Sequence, residues 1–312
     1  MDPVTVFALV AAVFMGVSIG ASSVAPAFAP VNSSGGSNVM RLALLAGIFA
    51  FLGSIMQGQN VAETVGSGIL FGNISTLQGA AILLVGASLV IVSVLTDYPM
   101  PTAFTVVGSV IGSGIAFGNG FNLQEIAMII GFWIFTPVVS LALSYGLARL
   151  IRKYVPAEGS EKFINRLLLI SGSYVAYTAG AASVGLAVGP LSSMSINSYT
   201  LLLVGGFSIL IGSWVISPRI INTVSYDYSN VGPRRSVAAL AASGIIAQLG
   251  IYIGAPVSFN LAIVASVIGS GLVEGKDNKS DAKVYRTLLA WVGAFALSIV
   301  LTAGLGIIIS GV

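Results

Sequence analysis

The stretch GASSVAPAFAP, residues Gly20–Pro30, interrupts an uncharged opening segment with glycine, serine and proline. A related stretch, GAASVGLAVGP, lies 160 residues later at Gly180–Pro190. Because glycine and proline weaken or break helices, each phrase is expected to break a long apolar helix. The same break, repeated half a chain apart, predicts a protein built from two related halves.

Two further blocks of sequence recur in the same order. LGSIMQGQNVAETV (Leu52–Val65) aligns with IGSWVISPRIINTV (Ile211–Val224). YPMPTAFTVVGSVIGSG (Tyr98–Gly114) aligns with APVSFNLAIVASVIGSG (Ala255–Gly271), and both end in SVIGSG. Three blocks at nearly constant spacing predict one repeat over residues 1–155 and a second over residues 156–312, within a single transmembrane domain.

The composition is that of a membrane protein. The chain has 312 residues, of which 56% are hydrophobic and 7% are charged, whereas a soluble domain carries roughly 25% charged residues. Eight uncharged stretches approach or exceed the roughly 20 residues that cross a bilayer. They are Val4–Pro30, Leu42–Met56, Ala80–Thr96, Ile126–Ala148, Leu167–Pro190, Leu201–Ser217, Val237–Ala255 and Leu288–Val312. We therefore expect an all-α integral membrane protein in contact with the lipid bilayer.

The basic residues predict the orientation of the two halves. Each half is expected to cross the membrane five times, with the short VAETVGSGIL and IINTVSYDY stretches re-entrant. Since five is odd, the second half must be inverted. With an outside N-terminus, all 13 lysines and arginines fall on one side, which the positive-inside rule assigns to the cytoplasm. This predicts an inverted-repeat transporter in the plasma membrane, with both termini outside.

Several classes of function are disfavoured by what the sequence lacks. There is no cysteine and no histidine, which excludes disulfides and thiol chemistry and removes the commonest metal ligand. The net charge of +3 comes from loop residues that report orientation, so no nucleic-acid partner is expected. With no acid–base constellation, an enzyme is not expected, and neither is a bound metal or cofactor.

The two phrases predict the substrate site. A half-helix that begins within the membrane directs free N–H groups and a positive dipole end into a cavity, which suits a small oxyanion. Two such ends could face one another across a site at the midplane. The predicted substrate-binding residues are Gly20, Ala21, Ser22, Ser23, Val24, Gly180, Ala181, Ala182, Ser183 and Val184, with Thr102 and Ser258 lining the site. The alternative is that these small residues permit close helix packing.

Glu63 is the candidate for coupling transport to an ion gradient. It is the one acid within a repeated block, and its counterpart in the second half is Asn222. An ionisable group in such a segment is a functional candidate. Burial would raise its pKa and suit it to carry a proton. The alternative is an interfacial carboxylate that caps a re-entrant turn.

At these blocks the sequence resembles the inorganic phosphate transporter family. That family repeats a GANDVANAxGP-like motif twice, follows it with an E-T segment, and carries xPVSTTH before a glycine-rich helix. The matching residues are Gly20–Phe28, Gly180–Pro190, Glu63-Thr64, Pro99–Thr102 and Pro256–Phe259. The resemblance covers essentially the whole chain and implies a secondary transporter of an inorganic oxyanion that works by alternating access.

The departures from the family pattern bear on the substrate. Ser22-Ser23 and Ala182-Ser183 stand where the family has Asn-Asp, whose side chains the resemblance implies help bind sodium and phosphate. A site of N–H and O–H donors without carboxylates suits sulfate, and the GAS form resembles the sulfate-permease branch, which is associated with proton coupling. We expect proton-coupled sulfate import. Alternatives are phosphate transport coupled to sodium or protons and a passive anion channel, and a homodimer is left open.

Overall fold

The computed structural model describes residues 2–24, 27–33, 38–96, 101–156, 158–222, 231–274 and 281–311. These residues are nearly all helical. The first half contains α1 (Pro3–Ile19), α2 (Ala29–Ser33), α3 (Val39–Gln57), α4 (Gln59–Glu63), α5 (Thr76–Thr96), α6 (Thr102–Phe117) and α7 (Leu123–Tyr154). The second half contains α8 (Glu161–Val188), α9 (Ser198–Val215), α10 (Pro233–Tyr252), α11 (Phe259–Gly271) and α12 (Asp281–Ser310).

Shorter elements join these helices. Two π-helices cover Gly20–Val24 and Thr64–Gly68, two 3₁₀ helices cover Gly189–Leu191 and Leu272–Glu274, and a helical segment occupies 217–222. Strands β1 (Leu70–Phe71) and β2 (Gly120–Phe121) form a two-residue antiparallel ribbon. Within the described ranges this ribbon is the one departure from an all-helical fold.

The membrane-spanning helices follow the predicted order. Eight helices in the described part of the chain are long and apolar enough to cross a bilayer, and α6 and α11 are shorter apolar helices. Five of these ten helices lie within residues 1–155, α1, α3, α5, α6 and α7, and five lie within residues 156–312, α8, α9, α10, α11 and α12. The prediction of an all-α membrane protein is confirmed.

Helices of one half pack tightly against helices of the other. Gly20, which directly follows α1, packs against the carbonyl oxygen of Ile209 in α9 so closely that a Cβ atom would not fit. Gly180 in α8 lies in the same way against the carbonyl oxygen of Ala50 in α3. Both contacts are backbone to backbone, which only glycine permits. The two contacts join equivalent positions of the two repeats, so the halves interlock through matching surfaces.

A second pair of matching contacts joins the glycine-rich helices to the last helix of the opposite half. Gly112 in α6 packs against the carbonyl oxygen of Ile299 in α12, and Gly269 in α11 packs against that of Leu141 in α7. Both glycines belong to the identical SVIGSG blocks. Each half therefore contributes the same kind of close helix contact to the other. The inversion of the halves, and their boundary at residue 155, stay predictions.

Candidate functional site

The first phrase leaves α-helical geometry at the predicted position. α1 ends at Ile19, and the chain continues as a π-helix over Gly20–Val24. A π-helical turn holds one extra residue, and such turns are frequent at functional sites. The carbonyl oxygen of Gly20 accepts a hydrogen bond of 2.9 Å from the hydroxyl of Ser217. A residue from the second half therefore satisfies a polar group at the end of α1.

Three of the predicted substrate-binding residues meet at this turn. The hydroxyl groups of Ser23 and Thr102 lie 2.9 Å apart, and those of Ser22 and Ser23 lie 3.3 Å apart. Ser23 is 2% exposed and Thr102 is 5% exposed, while Ser22 is half-buried. Ser22 also donates to the carbonyl oxygen of Ser18 at 3.0 Å. These three residues, Ser22, Ser23 and Thr102, form a hydroxyl cluster at a helix break.

The hydroxyl cluster adjoins the N-terminus of α6. The first backbone hydrogen bonds of α6 run from the N–H groups of Phe104 and Thr105 to the carbonyl oxygen of Pro101. The N–H groups of Thr102 and Ala103 therefore precede the helical ladder, and Pro101 provides no side-chain cap for them. Free N–H groups and the positive end of the helix dipole favour an anion. Hydroxyl groups beside them add neutral donors.

The second phrase ends its helix only at its last residues. α8 runs without interruption through Gly180–Val184, and the N–H of Gly189 still donates to the carbonyl oxygen of Gly185. The predicted break therefore lies at Gly189-Pro190 and not earlier in the phrase. The N–H groups of Gly180, Ala181, Ala182, Ser183 and Val184 lie within a continuous helix, so they are not the free N–H groups of a helix end. The α-helix ends instead at Val188, just before Pro190, whose ring carries no N–H.

The glycines of the second phrase serve close packing. Gly185 lies against the backbone of Val61 and Ala62 in α4, with the Ala62 nitrogen 2.5 Å from where a Cβ would stand. The carbonyl oxygen of Ala62 lies 2.9 Å from the corresponding point at Gly189. Helix α4 therefore packs directly against α8. For Gly185 and Gly189, the structure agrees with the alternative interpretation that these small residues permit close helix packing.

The remaining second-half candidates are buried but are not joined to one another. Ser183 and Ser258 are each 2% exposed. The structure gives neither hydroxyl a hydrogen bond to another described residue. Ser258 immediately precedes α11, yet it makes no capping bond there. The structure thus assembles a hydroxyl cluster in the first half and leaves two separate buried serines in the second.

Glu63 is exposed and not buried. Its Oε1 accepts a hydrogen bond of 2.8 Å from Nε2 of Gln59, one turn earlier in α4. It lies on the wall of an open cavity of about 270 Å³, which is lined by α4, the π-helix after it and the segment that follows α8. Glu63 ends a helix of five residues, and its side chain is exposed.

Asn222, the predicted counterpart of Glu63, lies far from it. Oδ1 of Asn222 accepts a hydrogen bond of 3.1 Å from Nδ2 of Asn32, and Asn222 is exposed. Asn32 precedes α3 whereas Glu63 follows it. Glu63 and Asn222 are therefore at opposite ends of α3.

Sequence reasoning missed several polar residues around Glu63. Ser67, Asn73, Ser192 and Ser193 also line the cavity. The signal that could have found the last two is their position directly after the break at Pro190. No group of three acidic residues in the described part of the chain is placed to hold a metal ion. Pro26 and Pro99, which belong to the motifs, lie outside the described residues.

Comparisons with known proteins identify the family. The model of the phosphate transporter family matches residues 19–302. The chain therefore belongs to the phosphate transporter family, and its role is transport across a membrane.

Three relatives illustrate the range of the similarity. The sulfate permease CysP of Bacillus subtilis is 26% identical over 301 residues, covering 94% of this chain and 84% of the relative. A Pyrococcus abyssi protein provisionally named a phosphate permease is 21% identical, covering 93% of this chain and 94% of the relative. A solved structure of a sodium-dependent phosphate transporter superposes with a TM-score of 0.90 at 18% identity, covering 100% of both chains. That superposition establishes the shared fold.

Proposed function

We propose that this member of the phosphate transporter family is a secondary transporter that imports an inorganic oxyanion, sulfate in preference to phosphate, with a proton as the coupling ion. The observation that carries the proposal is the hydroxyl cluster of Ser22, Ser23 and Thr102 at the uncapped start of α6. Its buried donors and the positive helix end suit a small anion held without an arginine.

The chemistry of the hydroxyl cluster favours sulfate. Sulfate is fully deprotonated near neutral pH and only accepts hydrogen bonds, whereas phosphate carries a proton that needs an acceptor. A carboxylate is the strongest such acceptor in a side chain. Ser22 and Ser23 stand where the family motif has Asn-Asp, so that acceptor is missing from this turn. The similarity to a sulfate permease over most of both chains supports the same substrate.

Alternating access about a fixed site between two repeats, residues 1–155 and 156–312, is the transport mode that we propose. The contacts of Gly20 with Ile209 and of Gly180 with Ala50 join helices of the two repeats, so the groups of helices that move would each include helices from both repeats. The inverted orientation, with both termini outside the plasma membrane, rests on the positive-inside rule. In this proposal the protein binds and releases the anion unchanged, with no chemical step.

The coupling proton is assigned to Glu63. Its carboxylate lies on the wall of an open cavity and reaches water, so it can exchange protons with the outer solution directly. The same cavity is lined by Val188 and Gly189, at the end of the helix that carries Ser183. The predicted topology places Glu63 on the outer side of the membrane. Protonation of Glu63 would remove a negative charge there and so reduce electrostatic repulsion of an incoming anion.

Phosphate transport with sodium is the second candidate. It is favoured by the family description and by the shared fold with a protein named the sodium-dependent phosphate transporter. In this alternative, sodium would bind backbone carbonyl oxygens and Glu63, because hard cations prefer oxygen ligands.

Reconstituted uptake separates the two candidates. Purified protein in liposomes would be given labelled sulfate or labelled phosphate under an imposed proton or sodium gradient, with the other anion as competitor. We expect sulfate to accumulate under the proton gradient and to be displaced weakly by phosphate. Phosphate outcompeting sulfate would overturn the substrate assignment, and accumulation driven by sodium alone would overturn the coupling assignment. Uptake that never exceeds the external concentration would indicate a passive channel.

A further inference from the structure

A basic cavity lies at the end of the molecule opposite Glu63. It has a volume of about 600 Å³ and is formed where α7 ends and where α8 and α10 begin. Glu63 lies near the C-terminal end of α8, whereas this cavity contacts the first turns of α8. The positive-inside rule predicts that this end faces the cytoplasm.

Three arginines line the basic cavity. Arg152 comes from α7, and Arg234 and Arg235 come from the first turn of α10. Among the described residues, the cavity has one lining carboxylate, Glu161, and one carboxamide, Asn165, both from α8. Three guanidinium groups against that carboxylate give the described lining a net positive charge. It also joins the last helix of the first half to two helices of the second.

Hydrogen bonds to carbonyl oxygens orient two of these guanidinium groups. Nη1 of Arg152 donates to the carbonyl oxygen of Val273 at 3.0 Å, and Nη1 of Arg234 donates to that of Val155 at 2.9 Å. A guanidinium has five N–H donors, so each keeps further donors for a ligand. Arg234 and Arg235 are half-buried, which reduces screening of their charge by water. Oriented and partly desolvated arginines bind tetrahedral oxyanions with paired hydrogen bonds.

The helix ends at the basic cavity add to its positive potential. α8 and α10 both begin there, and neither Ser160 nor Gly232 at their starts supplies a side-chain cap. Uncapped N-termini leave N–H groups and positive dipole ends near the cavity.

We infer that the basic cavity binds a phosphate-type oxyanion, carried by the headgroup of an anionic phospholipid or free in solution. The ends of α7 and α8 that form the cavity also carry the exposed apolar side chains of Leu150, Tyr154 and Phe163, which are 54%, 69% and 53% exposed. Apolar side chains at these helix ends suit contact with acyl chains. Basic pockets between helices at the cytoplasmic side suit anionic headgroups. A bound headgroup would tie α7 to α8 and α10, so its occupancy would bear on the motion between the halves.

Binding measurements on the full chain in detergent micelles test this site. The probes are fluorescent phosphatidylglycerol, phosphatidylcholine as the zwitterionic comparison, and inorganic phosphate. The test variants are Arg235→Gln and Asn165→Asp, and Arg166→Gln is the matched control because Arg166 is an exposed arginine of α8 outside the cavity. We expect Arg235→Gln to weaken phosphatidylglycerol binding about fivefold, the effect of one basic residue near an anionic surface. Arg166→Gln should leave it within about twofold of the parent chain, because interactions of exposed charges are weak.

The outcomes separate the two sources of the oxyanion. Phosphatidylglycerol binding that is sensitive to Arg235 and exceeds phosphatidylcholine binding identifies a lipid headgroup. Inorganic phosphate that displaces the lipid, and whose own binding is weakened by Asn165→Asp, identifies the free anion. Equal loss in Arg235→Gln and Arg166→Gln, or no loss in either, would overturn the site. If Arg235→Gln does not fold, Asn165→Asp decides, since it changes an exposed side chain without changing its size. The comparison of phosphatidylglycerol with phosphatidylcholine does not depend on which anion is transported, and the sensitivity to Asn165→Asp separates phosphate in the basic cavity from phosphate at the transport site.

Discussion

The two glycine–serine phrases occupy equivalent positions in the halves but adopt different local structures. In the first half, α1 gives way to a π-helix, and Ser22 and Ser23 meet Thr102 at the start of α6. In the second half, α8 continues as an α-helix through Gly180–Val184 and its glycines pack against α3 and α4. The first glycine of each phrase has a common setting: each makes a close contact with a carbonyl oxygen of the opposite half, and its own carbonyl oxygen accepts a hydrogen bond from a serine hydroxyl of that half, Ser217 for Gly20 and Ser54 for Gly180.

The glycines and the serines of the two phrases have different roles. Gly20 and Gly180 hold the halves together, because each lies against a carbonyl oxygen of the opposite half. The serines differ: Ser23 is hydrogen-bonded within the hydroxyl cluster, whereas Ser183 is buried without a described partner. The glycines of the repeat therefore indicate shared architecture, and its polar residues indicate where the halves have diverged.

The largest expected effect comes from removing the contact that both halves share. Gly20→Ala and Gly180→Ala each place a Cβ against a backbone carbonyl oxygen that cannot move aside easily. We expect each to lower the free energy of unfolding by about 1–3 kcal/mol, as overpacking does. Thermal unfolding in detergent measures this. Gly131→Ala in α7 is the control, because a Cβ there meets open space. Unequal losses at Gly20 and Gly180 would break the equivalence of the two contacts.

The next effect separates the serines of the two phrases. Ser23→Ala removes a hydroxyl group from the hydroxyl cluster, and hydrogen bonds to charged groups contribute about 1.5–3 kcal/mol, so sulfate uptake should fall at least about tenfold. Sulfate uptake by Ser183→Ala should stay within about twofold of that by the parent chain, because the structure gives this hydroxyl no hydrogen bond to a described residue that the substitution could remove. Initial rates of labelled uptake in liposomes provide the measurement. Ser18→Ala controls for a buried serine whose hydroxyl bonds only within α1. Equal losses of sulfate uptake in Ser23→Ala and Ser183→Ala would contradict this difference and indicate that both phrases contribute to the anion site.

A third effect concerns coupling at the predicted outer end. Glu63→Gln keeps the size of the side chain but cannot carry a proton. We expect concentrative uptake under a proton gradient to be abolished while exchange of internal for external sulfate continues. Accumulation and exchange would be measured in the same liposomes. Glu125→Gln is the matched control, since Glu125 lies beside Gly68 of the same re-entrant stretch. Normal accumulation by Glu63→Gln would remove Glu63 from the mechanism.

The smallest effect is expected at the counterpart of Glu63. Asn222→Ala removes one exposed hydrogen bond to Asn32, which contributes about 1 kcal/mol or less to stability. Uptake should change by less than about twofold, with unchanged dependence on the proton gradient, because no ionisable group is altered. A loss of proton-driven accumulation in Asn222→Ala would show that the re-entrant stretches act as a coupled pair. That result would make the halves more alike in function than their structures are.

Most of the fold could be predicted because hydropathy reports directly on the bilayer. Apolar stretches of spanning length located the helices, and the repeated blocks placed five in each half. The sequence also identified Ser22, Ser23 and Thr102 as candidates. The sequence left open whether Glu63 is buried or interfacial, because proximity to a predicted re-entrant motif does not specify which face of a short helix is exposed. It predicted a break within Gly180–Pro190 but not the residue at which α8 ends, because glycine permits a helix to end but does not require it.

The amino-acid sequence was enough to predict a helical membrane protein, because the cost of exposing polar backbone to lipid leaves few alternatives for such a composition. Which small residues form the hydroxyl cluster and which pack against a neighbouring backbone became clear only from the three-dimensional arrangement of the helices. Ser23 and Thr102 are 79 residues apart in the chain and 2.9 Å apart in space. Whether a serine meets a helix N-terminus or a glycine meets a carbonyl oxygen depends on the relative placement of whole helices. That placement is set by close packing among many residues at once, and no single motif encodes it.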